Sequence, residues 1–146
     1  MAALSDYLEN KLIDQVFRAQ AYTFPTTLYV GLFTAAPSDT GGGTEVSGGS
    51  YARVSVSSSL ANWAGTQAAA STTASSGNSG TTSNNVSVTF PAPTANWGVI
   101  THVGIFDAST AGNLLIWGAL TINKTVNNGD SAPTFQASAL SFQLDN

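Results

Sequence analysis

The hydrophobic pattern near the N-terminus predicts an amphipathic helix over residues 5–21. Ser5 is a favourable N-cap, and Asp6 and Glu9 fall where the helix dipole favours carboxylates. Apolar residues then recur at spacings that place them on one helix face: Leu8, Leu12, Ile13, Val16 and Phe17. The helix is expected to end before Pro25, because the residue preceding a proline is pushed out of the helical region.

Beyond Pro25 the pattern alternates with a period of two, which predicts an antiparallel β-sandwich or barrel-like domain over residues 27–145. The first strand, TTLYVGLFT, is apolar on both faces, so we expect both faces to be covered. A further strand is expected in YARVSVS, and a meander is expected in NVSVTF, ITHVGIFD, NLLIWGALT and a final pair around TFQASALSFQLD. The turn sequences DASTAGN and NNGD separate the later strands. The fold is thus mainly β with one N-terminal α-helix, which either packs on the domain or is used outside it.

Two long polar loops interrupt this pattern, at residues 37–50 and 65–85. The first contains the flexible glycine-rich turn GGGTEVSGG. The second is a low-complexity run that is either mobile or ordered only by a neighbouring subunit. Because loops longer than about 15 residues are uncommon in compact domains, residues 65–85 are the predicted contact arm. The length of 146 residues predicts one structural domain, 1–146.

Composition favours a protein that works inside an assembly. Only 8% of residues are charged, against about 25% in an ordinary soluble domain, and none lies between Val54 and Phe106. Such a polar but non-ionic surface suits packing against copies of the chain or other subunits. The net charge of −4, with four scattered basic residues, disfavours nucleic-acid binding. No segment has the pattern of a membrane span or signal peptide, so no membrane partner is expected.

The only histidine, His102, precedes Asp107 by five residues and raises the question of catalysis. Strand alternation places His102 among apolar neighbours and sends the Asp107 side chain to the opposite face. Asp107 also begins a turn, where a carboxylate commonly binds local backbone amides. The predicted faces are Thr101, Val103 and Ile105 on one side, and Ile100, His102, Gly104 and Phe106 on the other. His102 is therefore predicted to be structural rather than catalytic.

No catalytic, cofactor-binding or metal-binding residues are predicted. The glycine-rich loop lacks the lysine and following helix of a phosphate-binding loop, and the carboxylates form no calcium-loop cluster. A glycosidase pair of carboxylates is compatible with the spacing, yet nothing favours it. The predicted functional residues are instead subunit contacts: the aromatic residues Trp63, Trp97 and Tyr51, with the two tryptophans expected to be exposed, and the helix residues Leu8, Leu12, Val16 and Phe17.

Three motifs, EVSGGSYAR, WGVITHVGIFDA and KTVNNGD, together with the N-terminal segment, resemble a family of small phage virion proteins usually labelled phage tail fibre protein. The resemblance runs from Leu4 to Asp145, apart from the polar run at 65–85. It implies a location in the virion and a non-enzymatic structural role, with no catalytic residues to transfer.

Within the virion, the absence of shaft repeats or a heptad run favours a capsid decoration or cement protein over a fibre. Such a protein would bind the major capsid protein and stabilise the assembled head. The alternative is a tail fibre or a tail or baseplate adaptor involved in host attachment. Cement proteins occupy three-fold positions in shells, so a homotrimer is expected, with other virion proteins as partners.

Overall fold

The computed structural model describes residues 2–144, and the fold is mainly β with antiparallel sheets and one N-terminal helix. This confirms the predicted fold class, and the arrangement is consistent with a β-sandwich. The elements are β1 (Ala2–Leu4), α1 (Asp6–Phe17), β2 (Thr27–Ala35), β3 (Thr44–Glu45), β4 (Val54–Ser57), β5 (Thr81–Ser83), β6 (Val88–Thr89), β7 (Gly98–Phe106), β8 (Leu114–Val126), β9 (Thr134–Phe135) and β10 (Ser141–Gln143).

The strands form one large sheet and two ribbons. The large sheet has the order β1–β8–β7–β2–β3, and β4 pairs with the first half of β2. The ribbons join β5 to β10 and β6 to β9. The prediction of a simple meander is therefore wrong at the C-terminal end, because β9 and β10 pair with strands far back in the chain. Short-range turn signals carry no information about such long-range pairing.

The core has two parts, one on each face of β2. Val30 and Leu32 contribute to a large cluster, whereas Phe33 belongs to a small cluster with Phe106 and Leu114. The two-sided burial predicted for β2 is confirmed. The large cluster also contains side chains from the two ribbons and the segments beside them, including Val88, Phe90, Leu140 and Phe142.

Helix α1 ends at Phe17, so the predicted C-terminal boundary at residue 21 is wrong. The backbone N–H groups of Arg18 and Gln20 both donate to the Asp14 carbonyl, at 3.1 and 3.0 Å. Between them Ala19 takes a left-handed conformation with a φ of 53°. No residue of α1 is buried, so tertiary packing does not support a further turn.

Three short strands and the length of β8 were not predicted. β1 precedes the helix, β3 lies in the glycine-rich loop, and β5 lies in the polar run at 65–85. Each has two or three residues, which is too short for a periodic signal. β8 extends to Val126, well beyond the predicted NLLIWGALT segment, because its far end pairs again with β7.

Candidate interaction surface

An apolar groove of about 440 Å³ lies beside α1. The helix forms one wall through Leu8 and Leu12, and the segment after it contributes Phe24. Trp63 and residues of several strands line much of the rest, and Phe142 and Leu144 contribute from the C-terminal part of the chain. Phe24 and Leu144 are exposed, so the groove continues into an open apolar surface. Exposed apolar patches of this kind are typical of protein–protein contacts.

The start of α1 is fixed to the sheet by Ser5, which is buried. Its side-chain oxygen accepts a hydrogen bond from the Leu8 N–H at 3.3 Å, which confirms the predicted N-cap. The same hydroxyl donates to the Leu114 carbonyl, and the Ser5 N–H donates to the Leu115 carbonyl at 2.9 Å. The N-cap thereby sets the position of α1 over the first residues of β8.

The predicted apolar face of α1 is divided between two environments. Leu8 and Leu12 are partly buried and line the groove, while Val16 and Phe17 are 67% and 80% exposed. Residues four apart on a helix are offset by about 40°, so the line from Leu8 to Val16 turns away from the groove. Ile13 is also exposed. The outer side of α1 is therefore an exposed apolar stripe, which consists of Ile13, Val16 and Phe17.

The three predicted aromatic contacts occupy different positions. Trp97 is 6% exposed and its indole N–H donates to the Gly49 carbonyl at 2.9 Å, so the expectation that it is an exposed contact is wrong. Trp97 also packs edge-on against Tyr51, with ring centroids 5.4 Å apart. Trp63 is partly buried along the groove, and its indole N–H has no hydrogen-bond partner within residues 2–144. The Asn and Gly residues near Trp63 and Trp97 in the sequence therefore did not predict how exposed the two tryptophans are.

Tyr51 is held in place by polar contacts below the surface. Its hydroxyl donates to Glu45 Oε1 and accepts from the Leu32 N–H, both at 2.9 Å. Burial is the main reason that the pKa of Tyr51 is raised well above its usual range. Contacts of Tyr51, Trp63 and the helix residues with other subunits remain a prediction.

Sequence reasoning missed an ion-pair cluster around Arg53. The guanidinium donates to both carboxylate oxygens of Glu45 at 2.8 Å and to the carbonyls of Ala108 and Ala111, also at 2.8 Å. The Arg53 side chain is only 8% exposed. This cluster shows that GGGTEVSGG is more than a flexible turn, because Glu45 in β3 anchors it. The spacing of Glu45, Tyr51 and Arg53 within EVSGGSYAR was the available signal.

His102 lies on β7, beside side chains of β7 and β8. Its Nδ1 is 2.8 Å from the hydroxyl of the adjacent Thr101, and its ring lies 5.9 Å from that of Trp117. The Asp107 carboxylate instead accepts hydrogen bonds from the backbone and side-chain amides of Asn113, at 2.6 and 2.7 Å. The predicted local role of Asp107 is therefore confirmed.

The predicted faces of β7 require one correction. An irregularity in the β7–β8 register falls between Ile100 and His102. It places Ile100 in the large core cluster with Val103 and Ile105, rather than on the face of His102. Strict alternation fails here because a bulge adds residues that have no partner in the facing strand.

Residues 2–144 contain no group of three or more His, Cys, Asp or Glu residues that could hold a metal ion. No helix in the same range is long and apolar enough to cross a membrane.

Comparison with known proteins identifies the family. No curated protein matches the chain. The family model described as Podophage GP4 fiber I protein gp80 matches residues 3–143, which is almost the whole sequence. The match covers α1 to β10, the Arg53 cluster and every residue of the groove beside α1 except Leu144. The chain therefore belongs to the Podophage GP4 fiber I protein gp80 family of phage fibre structural proteins and is a component of the virion.

Proposed function

We propose that this protein is a non-enzymatic tail-fibre or tail-adaptor subunit that binds neighbouring virion proteins through the apolar surface around α1. The family match over residues 3–143 is the observation that carries the proposal. The family gives no support to the capsid decoration expected from the absence of repeats. That expectation assumed that a fibre component must itself contain a repeated shaft.

The surface around α1 supports a role in subunit contact. A groove lined by Leu8, Leu12 and Trp63 lies beside a helix that exposes Val16 and Phe17. Burying one such apolar side chain stabilises a contact by about 1.5–3 kcal/mol. The helix is fixed to β8 through Ser5, so a partner would meet a surface of defined orientation. This combination favours docking of another subunit.

The non-enzymatic part of the proposal rests on the family type and on the geometry of the two residues that first suggested chemistry. His102 contacts Thr101 and Trp117, and Asp107 binds Asn113. Neither His102 nor Asp107 lines the groove beside α1. The homotrimer expected from the sequence also remains a prediction, with the outer stripe of α1 as its candidate contact.

Phage carrying Phe17→Asp test the proposal, with Leu60→Asp as the matched control. Both residues are exposed and neither lines the groove, but Phe17 belongs to the outer stripe of α1 whereas Leu60 lies in a different segment of the chain. We expect Phe17→Asp particles to lose the protein and to adsorb poorly to host cells, with heads that retain DNA on heating. Circular dichroism of the purified variants confirms that each is folded.

The result that overturns the proposal is specific. If particles lacking the protein adsorb normally but leak DNA at a lower temperature, the protein stabilises the head. Electron microscopy with an antibody against the protein provides an independent readout, because label on the tail supports the proposal and label over the shell contradicts it.

A further inference from the structure

Strand β1 and helix α1 form a unit, residues 2–17, that is attached to the domain mainly at one place. β1 pairs with Ile116–Gly118 of β8, and Ser5 binds two carbonyls at the start of β8. The Asp6 N–H adds one hydrogen bond to the Asp39 carbonyl, at 2.8 Å. No residue of α1 is buried, and the apolar groove lies open beside the helix. The β1–α1 unit is therefore held chiefly by the edge of one strand.

The linker that joins this unit to β2, residues 18–24, has no hydrogen bond to the domain. Within the described part of the chain, the hydrogen bonds of the linker all go to α1 or to the linker itself. Every linker residue except Tyr22 is exposed. The first hydrogen bonds to the domain come after the linker, where the carbonyls of Pro25 and Thr26 accept from Ser58. The linker can therefore change its path without breaking a hydrogen bond to the domain.

The linker also holds good helix-forming residues in a non-helical conformation. Residues 18–21, RAQA, favour continuation of α1, yet the helix ends at Phe17. Ala19 has a φ of 53°, at a position where helices commonly place glycine. Alanine is strained in this left-handed conformation, and the strain is released if α1 continues through the linker. The turn that returns the chain to its own β2 therefore opposes the local preference of the sequence.

We infer that the β1–α1 unit is exchanged between copies of this chain, so that the unit of one copy docks on β8 of another. A second copy is the occupant because its unit has the same strand, N-cap and apolar helix face that fit this edge within one chain. Exchange of an identical element reproduces every contact and is a low-cost route to an oligomer. A helix continued to residue 21 is about 24 Å long, so it would carry β1 away from its own domain to a neighbour.

Exposed aromatic side chains at the two ends of the linker support the exchange. Phe17 is 80% exposed and Phe24 is 54% exposed. In a two-fold exchange the linkers of both copies pass each other, so the rings of the two copies would be buried together. Burial of apolar surface is the dominant favourable contribution to most protein association. The exchanged form thus gains contacts that a single chain lacks.

Exchange changes the composition of the groove beside α1. Leu8 and Leu12 of one copy would line it together with Trp63 of another, so a complete groove would require two chains. The inference goes beyond the proposed function, since it holds whichever virion protein the groove binds.

Single cysteines test the exchange directly, because the chain contains no cysteine. Leu4 and Ile116 are register partners on β1 and β8, so their Cα atoms lie at a distance that a disulfide can bridge. Full-length chains carrying Leu4→Cys are mixed with chains carrying Ile116→Cys, unfolded, refolded together at high concentration and oxidised. We expect a covalent dimer whose disulfide joins the two different positions, as identified by mass spectrometry. Neither variant can form this bond alone, so each variant refolded by itself gives the background of random oxidation.

Ala19→Gly tests the role of the linker. Glycine adopts the left-handed conformation without strain and disfavours continuation of the helix, so we expect the ratio of exchanged dimer to monomer to fall at least about fivefold. Ala21→Gly is the matched control, because it lowers helix propensity in the same linker at a residue without a positive φ. We expect Ala21→Gly to have the smaller effect. Circular dichroism confirms that all variants are folded.

Two outcomes overturn the inference. The first is a mixture that gives no more covalent dimer than the separate variants, while the double variant Leu4→Cys/Ile116→Cys forms the disulfide within single chains. The second is a covalent dimer in which the disulfide joins two like positions. Neither outcome bears on the tail location, which the adsorption experiment tests separately.

Discussion

The guanidinium carbon of Arg53 lies 3.3 Å from the ring centroid of Phe106, so a buried cation covers an aromatic face. The same guanidinium binds Glu45 with two hydrogen bonds and caps two carbonyls in the loop between β7 and β8. One side chain therefore joins β3, the end of β7 and the 107–113 loop. Removal of this side chain leaves a partly buried carboxylate and two carbonyls without their donors.

We expect Arg53→Ala to lower the free energy of unfolding by about 3 kcal/mol, the range for breaking one partner of a buried ion pair. The matched control is Arg18→Ala, which breaks an exposed pair with Asp14 within α1. That change is expected to cost no more than about 0.5 kcal/mol. Urea denaturation of both variants provides the comparison, and equal losses would contradict a special role for Arg53.

Gly31→Ala is expected to destabilise the protein through crowding. A Cβ at this position would lie 2.9 Å from Cε2 of Phe106 and 3.0 Å from Oε1 of Glu45. Both groups are held by Arg53, so they have little freedom to move. Overpacking of this kind costs about 1–3 kcal/mol. A double-mutant cycle with Phe106→Leu is the check, because the cost of Gly31→Ala is expected to fall when the ring is removed.

Stability is expected to decrease in alkaline solution because of two tyrosines. Burial, with smaller effects of Tyr7 and Asp107, raises the pKa of Tyr22 to about 12, and burial also raises the pKa of Tyr51. The unfolded chain ionises these groups near pH 10, so it binds fewer protons than the native state above that pH. The stabilisation is complete below pH 10 and is lost as the pH rises through the native values. Absorbance titration of tyrosinate in Tyr22→Phe and Tyr51→Phe measures each contribution.

His102→Ala is expected to leave assembly and infectivity intact, because the imidazole occupies a partly buried position on the sheet beside Thr101 and Trp117. A loss of about 1 kcal/mol is typical of such a truncation. Thermal unfolding and a plaque assay measure the two effects. A virion that assembles normally but loses a hydrolytic activity would show that the structural assignment of His102 is wrong.

Outside β3, β5 and the buried residues next to them, the loops at 40–50 and 65–85 are expected to exchange their amide protons faster in the free protein than in the virion. In the second loop, the Gln67 side chain forms exposed hydrogen bonds with the Ser71 and Thr73 hydroxyls and with the Ala74 carbonyl. Such exposed polar contacts provide little protection by themselves. Equal protection in free protein and in particles would contradict ordering by neighbouring subunits.

The sequence correctly predicted the features that depend on interactions between residues close together in the chain. Ser5 is the N-cap, β2 is apolar on both faces, and Asp107 binds the turn that follows it. The NNGD turn also forms as predicted, with the Asp130 N–H donating to the Asn127 carbonyl at 3.1 Å. Each of these features depends on residues within a few positions of one another, so the necessary information lies in a short segment.

Features that depend on distant residues could not be predicted in the same way. Trp97 is buried because Gly49 and Tyr51, which lie in a distant loop, contact it in the folded chain. Arg53 is buried because its guanidinium binds the carbonyls of Ala108 and Ala111, more than 50 residues away. The irregularity in the β7–β8 register likewise reflects the pairing of two strands rather than any turn sequence. The candidate surface was therefore predicted only in part, through Trp63 and the residues of α1.

The hydrogen bonds of Ser5 have a mechanical consequence for a fibre component. A force applied to α1 enters the sheet at Leu114 and Leu115, where β8 begins. From there β8 shares the load with β7 on one edge and with β1 on the other. Through the chain, Ser5 is also joined to β1, which pairs with β8 at Ile116–Gly118. The N-terminal end of α1 is therefore held to one strand, β8, both by the two Ser5 hydrogen bonds and by the β1–β8 pairing, and a load on the helix is shared between them.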